Sequence, residues 1–136
     1  MNVIHSFLKK YIDFKMGLAG ALVMAILVYY INYAGTHEAL GSSTAAIKQG
    51  FYTFLFGGVI MRSSERLAVE IPRKVLALAT ACIIPSTVSL ILTFGLHSLK
   101  GTPKPIQSTL VTAVFVIPST AVWGYMKRKK TMGKNI

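Results

Sequence analysis

Acidic residues are scarce in this 136-residue chain, where 4 Asp and Glu stand against 15 Lys and Arg and the formal charge is +11. Charged residues make up only 14% of the chain, whereas a soluble domain carries about 25%. Hydrophobic residues reach 53%, and the mean hydropathy is +0.56. The chain lacks the polar surface that a soluble body needs, so its basic charge is not a sign of nucleic-acid binding. The composition indicates an integral membrane protein.

Other absences narrow the function. A single cysteine, Cys82, excludes a disulfide scaffold, and the high hydrophobicity excludes a disordered chain. The long apolar runs contain no Asp or Glu, which disfavours an ion-coupled pump, because such pumps need buried carboxylates or chains of His. The sequence has no Ser-His-Asp arrangement and no acidic cluster that would indicate catalysis. We therefore expect a non-enzymatic protein without a cofactor.

Long apolar runs are what the chain does have. Residues 16–36, 75–96 and 105–126 carry no charge, and each run has the roughly 20 residues that a membrane-spanning helix needs. The run 49–61 is shorter and reaches a usable length only when it is extended back through Lys48. We expect an all-α integral membrane protein with four transmembrane helices, at about 16–36, 45–62, 73–96 and 105–126.

The distribution of Lys and Arg predicts the orientation, because cytoplasmic loops carry the excess of these residues. Twelve cations lie in residues 1–15, in the 62–74 connection and in the tail 127–136, and only Lys48, Lys100 and Lys104 lie on the other side. Both termini should therefore be cytoplasmic, in a bacterial inner membrane. Residues 1–15 are either a short helix in the cytoplasmic interface, with apolar residues at helical spacing, or an extension of the first span.

A shift of 60 residues superposes two copies of the pattern Gly-x-His-x-x-x-Gly-Ser/Thr, one beginning at Gly35 and the other at Gly95. The match indicates a duplication, with one repeat in residues 16–66 and the other in 73–126. Since each repeat holds two spans, the copies should be parallel and related by a pseudo-two-fold axis along the membrane normal. His37 and His97 would then lie at the same depth on the outer side.

Small residues predict where helices approach closely, since association in lipid depends on packing. The first and third predicted helices carry such stripes, which should pair near the pseudo-two-fold axis or form a dimer interface: Gly17, Ala21, Ala25, Ala77 and Ala81. Two Ile-Pro-Ser-Thr segments indicate kinked helices whose hydroxyls bond nearby carbonyls. The alternative is a hinge or a permeation path lined by these segments: Pro85, Ser86, Thr87, Pro118, Ser119 and Thr120.

Polar residues near the outer loops form the predicted ligand site. The set is net positive, and its flanking Gly and hydroxyl residues suit an anion at a helix start, although helix capping is the favoured role of the hydroxyls. With Glu38 the two His could bind zinc or copper, but two His without local His/Cys spacing are too few ligands to predict a metal site. The members of this predicted outer pocket are His37, Glu38, Lys48, Gln49, His97, Lys100, Lys104, Gln107 and Ser108.

The predicted function is therefore that of a small membrane protein whose outer pocket binds an anionic lipid headgroup or small anion, or docks a membrane partner. The first alternative is a small channel or transporter with its path at the repeat or dimer interface. The least favoured is a membrane enzyme or a metal- or haem-binding protein that uses His37 and His97. Membrane lipids are the expected partners, a homodimer or a larger membrane complex is the further expectation, and nucleic acid is not expected.

Overall fold

The computed structural model describes residues 2–99, 101 and 105–134, with Ser108 described by its backbone alone. The structure is 93% helical, and no strand occurs in the described ranges. These described residues form six α-helices and one short π-helical segment. They are α1 Asn2–Tyr11, α2 Phe14–Thr36, α3 Ala39–Tyr52, the π segment Thr53–Gly57, α4 Gly58–Glu70, α5 Lys74–Leu99 and α6 Pro105–Gly133.

Helices α2, α5 and α6 are long and apolar enough to cross a membrane, with mean hydropathies of 1.9, 2.2 and 1.5 over their most apolar stretches. They correspond to three of the four predicted spans, and they agree with a membrane location. Helix α6 continues to Gly133 rather than ending at residue 126, so most of the predicted basic tail is a helical extension.

The predicted second span is not one uniform α-helix. Residues 45–62 are shared among α3, the π segment and α4, which together make an unbroken helical run over residues 39–70. A π segment of this kind is rare and marks a local departure from α-helical geometry. Helix α2 approaches the backbone of this π segment closely, because a Cβ added to Gly17 would lie only 2.7 Å from the carbonyl oxygen of Phe54. The four-helix repeat architecture stays a prediction.

The chain divides into two compact units, residues 1–59 and 60–136, and the boundary falls inside α4. Unit 1 is held together by close packing of α2 on α3 and the π segment. A Cβ added to Gly50 would lie 3.3 Å from Ala25 Cβ and 3.4 Å from the carbonyl oxygen of Ala21. Ala21 and Ala25 of the predicted small stripe on α2 thus pack against Gly50 of α3 in the same unit.

In unit 2, small residues also allow close packing, here among α4, α5 and α6. A Cβ on Gly124 of α6 would lie 3.2 Å from Ala81 Cβ, 3.3 Å from Ser64 Oγ and 3.4 Å from Ala68 Cβ. Ala77, Ala81 and Ala68 are almost fully buried. The stripe expected on the third span therefore packs on α6 within unit 2. Pairing between the two predicted stripes stays a prediction.

Candidate functional site

The predicted outer residues of unit 1 lie along α3 and its approach. His37 ends α2 in the left-handed conformation, with a φ of 56°, and its ring stands edge-on to Tyr33 at 5.9 Å between centroids. Glu38 precedes α3 without a side-chain capping bond. Gln49 Nε2 donates to Thr53 Oγ1 at 3.2 Å.

Lys48 is the member on which the predicted pocket depends most. Its side chain is exposed. It lies ten residues after Glu38, which is about 15 Å along a helix. Within unit 1 the predicted residues are therefore strung along α3 and are not gathered in one place.

In unit 2, His97 is half-buried near the end of α5, and Gln107 is exposed in the first turn of α6. Lys100 and Lys104 lie outside the described residues, as does the side chain of Ser108. The predicted outer pocket accordingly stays a prediction.

Half of the predicted hinge or path residues meet in a buried junction of unit 2. Ser86 Oγ and Thr120 Oγ1 are 2.9 Å apart, and Ser64 Oγ donates to the backbone carbonyl of Thr120 at 2.9 Å. Pro85 lies beside them and is almost fully buried. The three others are exposed: Thr87, Pro118 and Ser119. We call the group of Ser64, Ser86 and Thr120 the hydroxyl junction.

Every hydroxyl of this junction is satisfied inside the protein. Thr120 Oγ1 is also within bonding distance of the Val116 and Ile117 carbonyls, at 3.0 and 3.1 Å. Because that proton is directed to its own helix, Ser86 is left as the donor to Thr120. Ser64 and Thr120 have no exposed surface, so the junction is closed packing in this conformation. The predicted hydroxyl-to-carbonyl bonds are also present at Ser119, which donates to Phe115 at 2.6 Å.

Ser64 was absent from the predicted site. Its signal is its spacing, since it lies four residues before Ala68 on α4. Small residues at i and i+4 mark the side of a membrane helix that approaches a neighbour.

Arg128 has a structural role that the charge count did not suggest. It is only 8% exposed, and its guanidinium donates to the carbonyls of Ala68, Ile71 and Pro72 at 2.6, 2.7 and 2.7 Å. These carbonyls lie at the end of α4 and just beyond it, where helical partners run out. A cation there also interacts favourably with the negative end of the helix dipole. Arg128 therefore caps α4 and is not a headgroup contact.

The neighbouring lysines form an open basic groove. Its volume is about 290 Å³, and we call it the α6 groove. Lys127, Lys130 and Thr131 share one face of α6, because they are spaced three and four apart, and Lys134 follows directly after the last residue of the helix. The groove is lined by Glu65, Lys127, Lys130, Thr131 and Lys134.

The electrostatics of the α6 groove favour an anion. Lys127 Nζ is 3.2 Å from Glu65 Oε2 and 4.5 Å from the centroid of the Trp123 ring. The same carboxylate oxygen accepts from Arg62 Nη1 at 3.2 Å. One carboxylate thus forms ion pairs with two cations, while Lys130 and Lys134 add two further positive charges to the lining. The three lysines and one glutamate that line the groove carry a formal charge of +2.

Metal and thiol chemistry find little support. No group of three or more His, Cys, Asp and Glu that could hold a metal occurs in the part of the chain that the structure describes. Cys82 is half-buried, and its Sγ lies 3.7 Å from the carbonyl oxygen of Ile117. Its place on α5 is that of a small packing residue.

Comparison of the chain with protein-family models, with curated proteins and with solved structures gave no match.

Proposed function

We propose that this chain is a non-enzymatic integral membrane protein that binds an anionic lipid headgroup, or a small anion of the same chemistry, in the α6 groove. The observation that carries the proposal is the group of three lysines at the end of α6 and directly after it, which line one groove together with a single carboxylate. The predicted outer pocket, with Lys48 and the two His, is a separate proposal for the opposite end of the protein.

The location of the groove supports a headgroup as ligand. The uncharged part of α6, residues 105–126, is about 33 Å long at the helical rise, which matches the hydrocarbon core of about 30 Å. Lys127 is the first charged residue after that stretch. Lys127, Lys130 and Lys134 would therefore lie at the level of the lipid phosphates. Lysines near an anionic leaflet contribute about 1 kcal/mol each.

The orientation is part of the proposal. The positive-inside rule assigns the α6 groove to the cytoplasmic side, together with the N-terminal lysines. Anionic lipids of the cytoplasmic leaflet would then be the available ligands. The membrane is proposed to be the inner membrane of a bacterium.

Trp123 provides the test, since it is the only tryptophan in the chain and Lys127 lies over its ring. Titration of the protein in a neutral detergent with dioctanoyl phosphatidic acid should change Trp123 fluorescence and saturate. Dioctanoyl phosphatidylcholine should leave the signal unchanged. An equal response to inorganic phosphate would assign the site to the free anion.

Lys130→Gln should weaken this binding about five-fold, the equivalent of 1 kcal/mol. Lys129→Gln is the matched control, because it removes the same charge from the adjacent residue, which does not line the groove. Equal weakening by both variants, or no saturable signal, would contradict a groove-specific site.

A channel or transporter is the second candidate, and the hydroxyl junction is the observation that favours it. The junction joins the two Pro-containing segments in the apolar part of unit 2. Conduction would require it to open, since it is closed here. Solute flux into reconstituted vesicles that is lost in Thr120→Val would support this candidate, and the absence of flux for common ions and small solutes would count against it.

A further inference from the structure

Helix α1 has one apolar and one polar face, and neither belongs to the α6 groove. At 100° per residue, Val3, Ile4, Phe7, Leu8 and Tyr11 fall within one arc of about 140°. The opposite arc carries the polar residues of the helix, and α1 contains no acidic residue. The polar arc consists of Asn2, His5, Ser6, Lys9 and Lys10.

The apolar face of α1 is open. Ile4 is 69% exposed and Phe7 is 60% exposed, whereas Ile12, just after the helix, is only 7% exposed. Phe7 and Tyr11 pack on each other with ring centroids 4.8 Å apart, and they extend along this face as one apolar ridge. The face is therefore organised but is not used for packing within unit 1.

The end of α1 is firmly attached. Asp13 N donates to the carbonyl of Gly58 at 2.9 Å, and Asp13 Oδ1 accepts from Met16 N at 3.1 Å to cap α2. A Cβ at Gly58 would lie 2.5 Å from Ile12 Cγ2, so a larger residue there would force the Ile12 side chain or the backbone to shift. Because Ile12 and Asp13 interrupt the helix, α1 is a separate element and does not extend α2. Its attachment point is the beginning of a candidate membrane span.

Length and charge identify what covers the apolar face. Ten residues make a helix of about 15 Å, half of the hydrocarbon thickness of about 30 Å, so α1 cannot span a membrane. Lys9 and Lys10 lie in its last turn, and Lys15 follows in the first turn of α2. A helix with this pattern, next to a span and without acidic residues, is complementary to an anionic lipid surface.

We propose that α1 binds the surface of an anionic leaflet, with its apolar face in the acyl boundary and its lysines at the lipid phosphates. The buried Ile12–Asp13 junction holds the helix at the membrane surface where α2 begins. This surface is distinct from the α6 groove and does not depend on ligand binding there.

Two neighbouring residues on opposite faces test the proposal in the full-length chain. In a Cys82→Ala background, Phe7→Cys and Ser6→Cys are each labelled with a polarity-sensitive fluorophore and reconstituted into vesicles containing 30% phosphatidylglycerol. The label at position 7 should be quenched by shallow brominated lipid, and the label at position 6 should be quenched by aqueous iodide. Only a helix lying in the plane of the membrane gives adjacent residues opposite environments.

Other results would overturn the proposal. If iodide quenches both labels alike, α1 lies in water. If the position 7 label is shielded from both quenchers, protein covers the apolar face, and energy transfer between differently labelled copies would identify a second copy as the cover.

The charge contribution has its own measurement. In an Ile4→Ser background, chosen to bring the insertion equilibrium into range, Lys9→Gln combined with Lys10→Gln should reduce the lipid-quenched fraction. The equilibrium constant for insertion, calculated from that fraction, should fall about five-fold for each lysine in phosphatidylglycerol vesicles. It should change little in pure phosphatidylcholine. Equal effects in the two lipids would overturn the assignment of an anionic surface.

Discussion

Ser86 Oγ lies 2.9 Å from Thr120 Oγ1, and this one hydrogen bond joins the two Ile-Pro-Ser-Thr segments of unit 2. Each segment contributes a different position of the same motif, since Ser86 is the third residue of one and Thr120 is the fourth residue of the other. Helices in lipid associate through small residues and interhelical hydrogen bonds. Around this contact, α5 and α6 are joined by an interhelical hydrogen bond and by the close packing of small residues.

Removal of this bond should lower the stability of unit 2 modestly. Hydrogen bonds between membrane helices average about 0.6 kcal/mol and reach about 1.7 kcal/mol. A double-mutant cycle of Ser86→Ala and Thr120→Val, with unfolding followed in mixed micelles, should give a coupling energy in that range. Ser119→Ala is the control, because its exposed hydroxyl bonds only within α6. A coupling energy of zero would show that small-residue packing alone holds α5 on α6.

Replacement of Arg128 should be more costly. Arg128→Ala would leave three carbonyls at the end of α4 without their donor, and each unsatisfied buried group costs about 1–3 kcal/mol. After partial solvation of the freed carbonyls, we expect a loss of about 2–4 kcal/mol in the unfolding free energy. Arg128→Lys should recover only part of this stability, since lysine lacks the planar fork of donors.

Lys129→Ala is the matched control for Arg128→Ala, because Lys129 is exposed and adjacent. It should change the unfolding free energy by less than about 0.5 kcal/mol. Equal losses for the two variants would mean that the net charge of the tail, and not the cap on α4, stabilises the unit.

The apolar runs predicted α2, α5 and α6 well, because uninterrupted hydrophobic length is a one-dimensional property. They did not predict the π segment at 53–57, which coincides with the close approach of Gly17 to the Phe54 backbone. Such an approach depends on a partner distant in sequence, and periodicity within one helix does not reveal it.

The site residues also divide into those that local sequence identifies and those that only a distant contact reveals. The Pro-Ser-Thr motifs identified Ser86 and Thr120, since a proline inside an apolar run stands out locally. Ser64 and Arg128 were missed because their roles depend on carbonyls 56 to 60 residues away along the chain. Within a run of four basic residues, only the packing against the end of α4 distinguishes an inward arginine from outward lysines.

The glycine at position 17 should be irreplaceable, unlike another glycine in the same helix. Gly17→Ala would place a Cβ 2.7 Å from the carbonyl oxygen of Phe54, a backbone atom that cannot rotate away. Overpacking of this kind costs about 1–3 kcal/mol. Gly35→Ala meets nothing within 4 Å and should be neutral or slightly stabilising. Thermal unfolding of the two variants in detergent checks the contrast, and similar melting temperatures would contradict the close approach of α2 to the π segment.

Whether the chain crosses the membrane three or four times depends on residues 39–70. Their uncharged centre, 49–61, covers only about 20 Å at the helical rise, so a crossing requires Lys48 to extend its ammonium toward the outer interface. The exposed side chain of Lys48 permits this. Because the 62–74 connection is rich in Arg and Lys, the positive-inside rule favours the crossing, and we expect four spans.

With four spans the two termini lie on the same side of the membrane, and with three they lie on opposite sides. Fusions of a reporter that is active only in the cytoplasm, placed at the N-terminus, after Pro72 and at the C-terminus, should all be active. A fusion after Thr36 should be inactive, since it lies between the first and second crossings. An inactive fusion at exactly one terminus would show that residues 39–70 do not cross. The α6 groove and α1 would then face opposite leaflets, and only one of them could meet the anionic lipids of the cytoplasmic side.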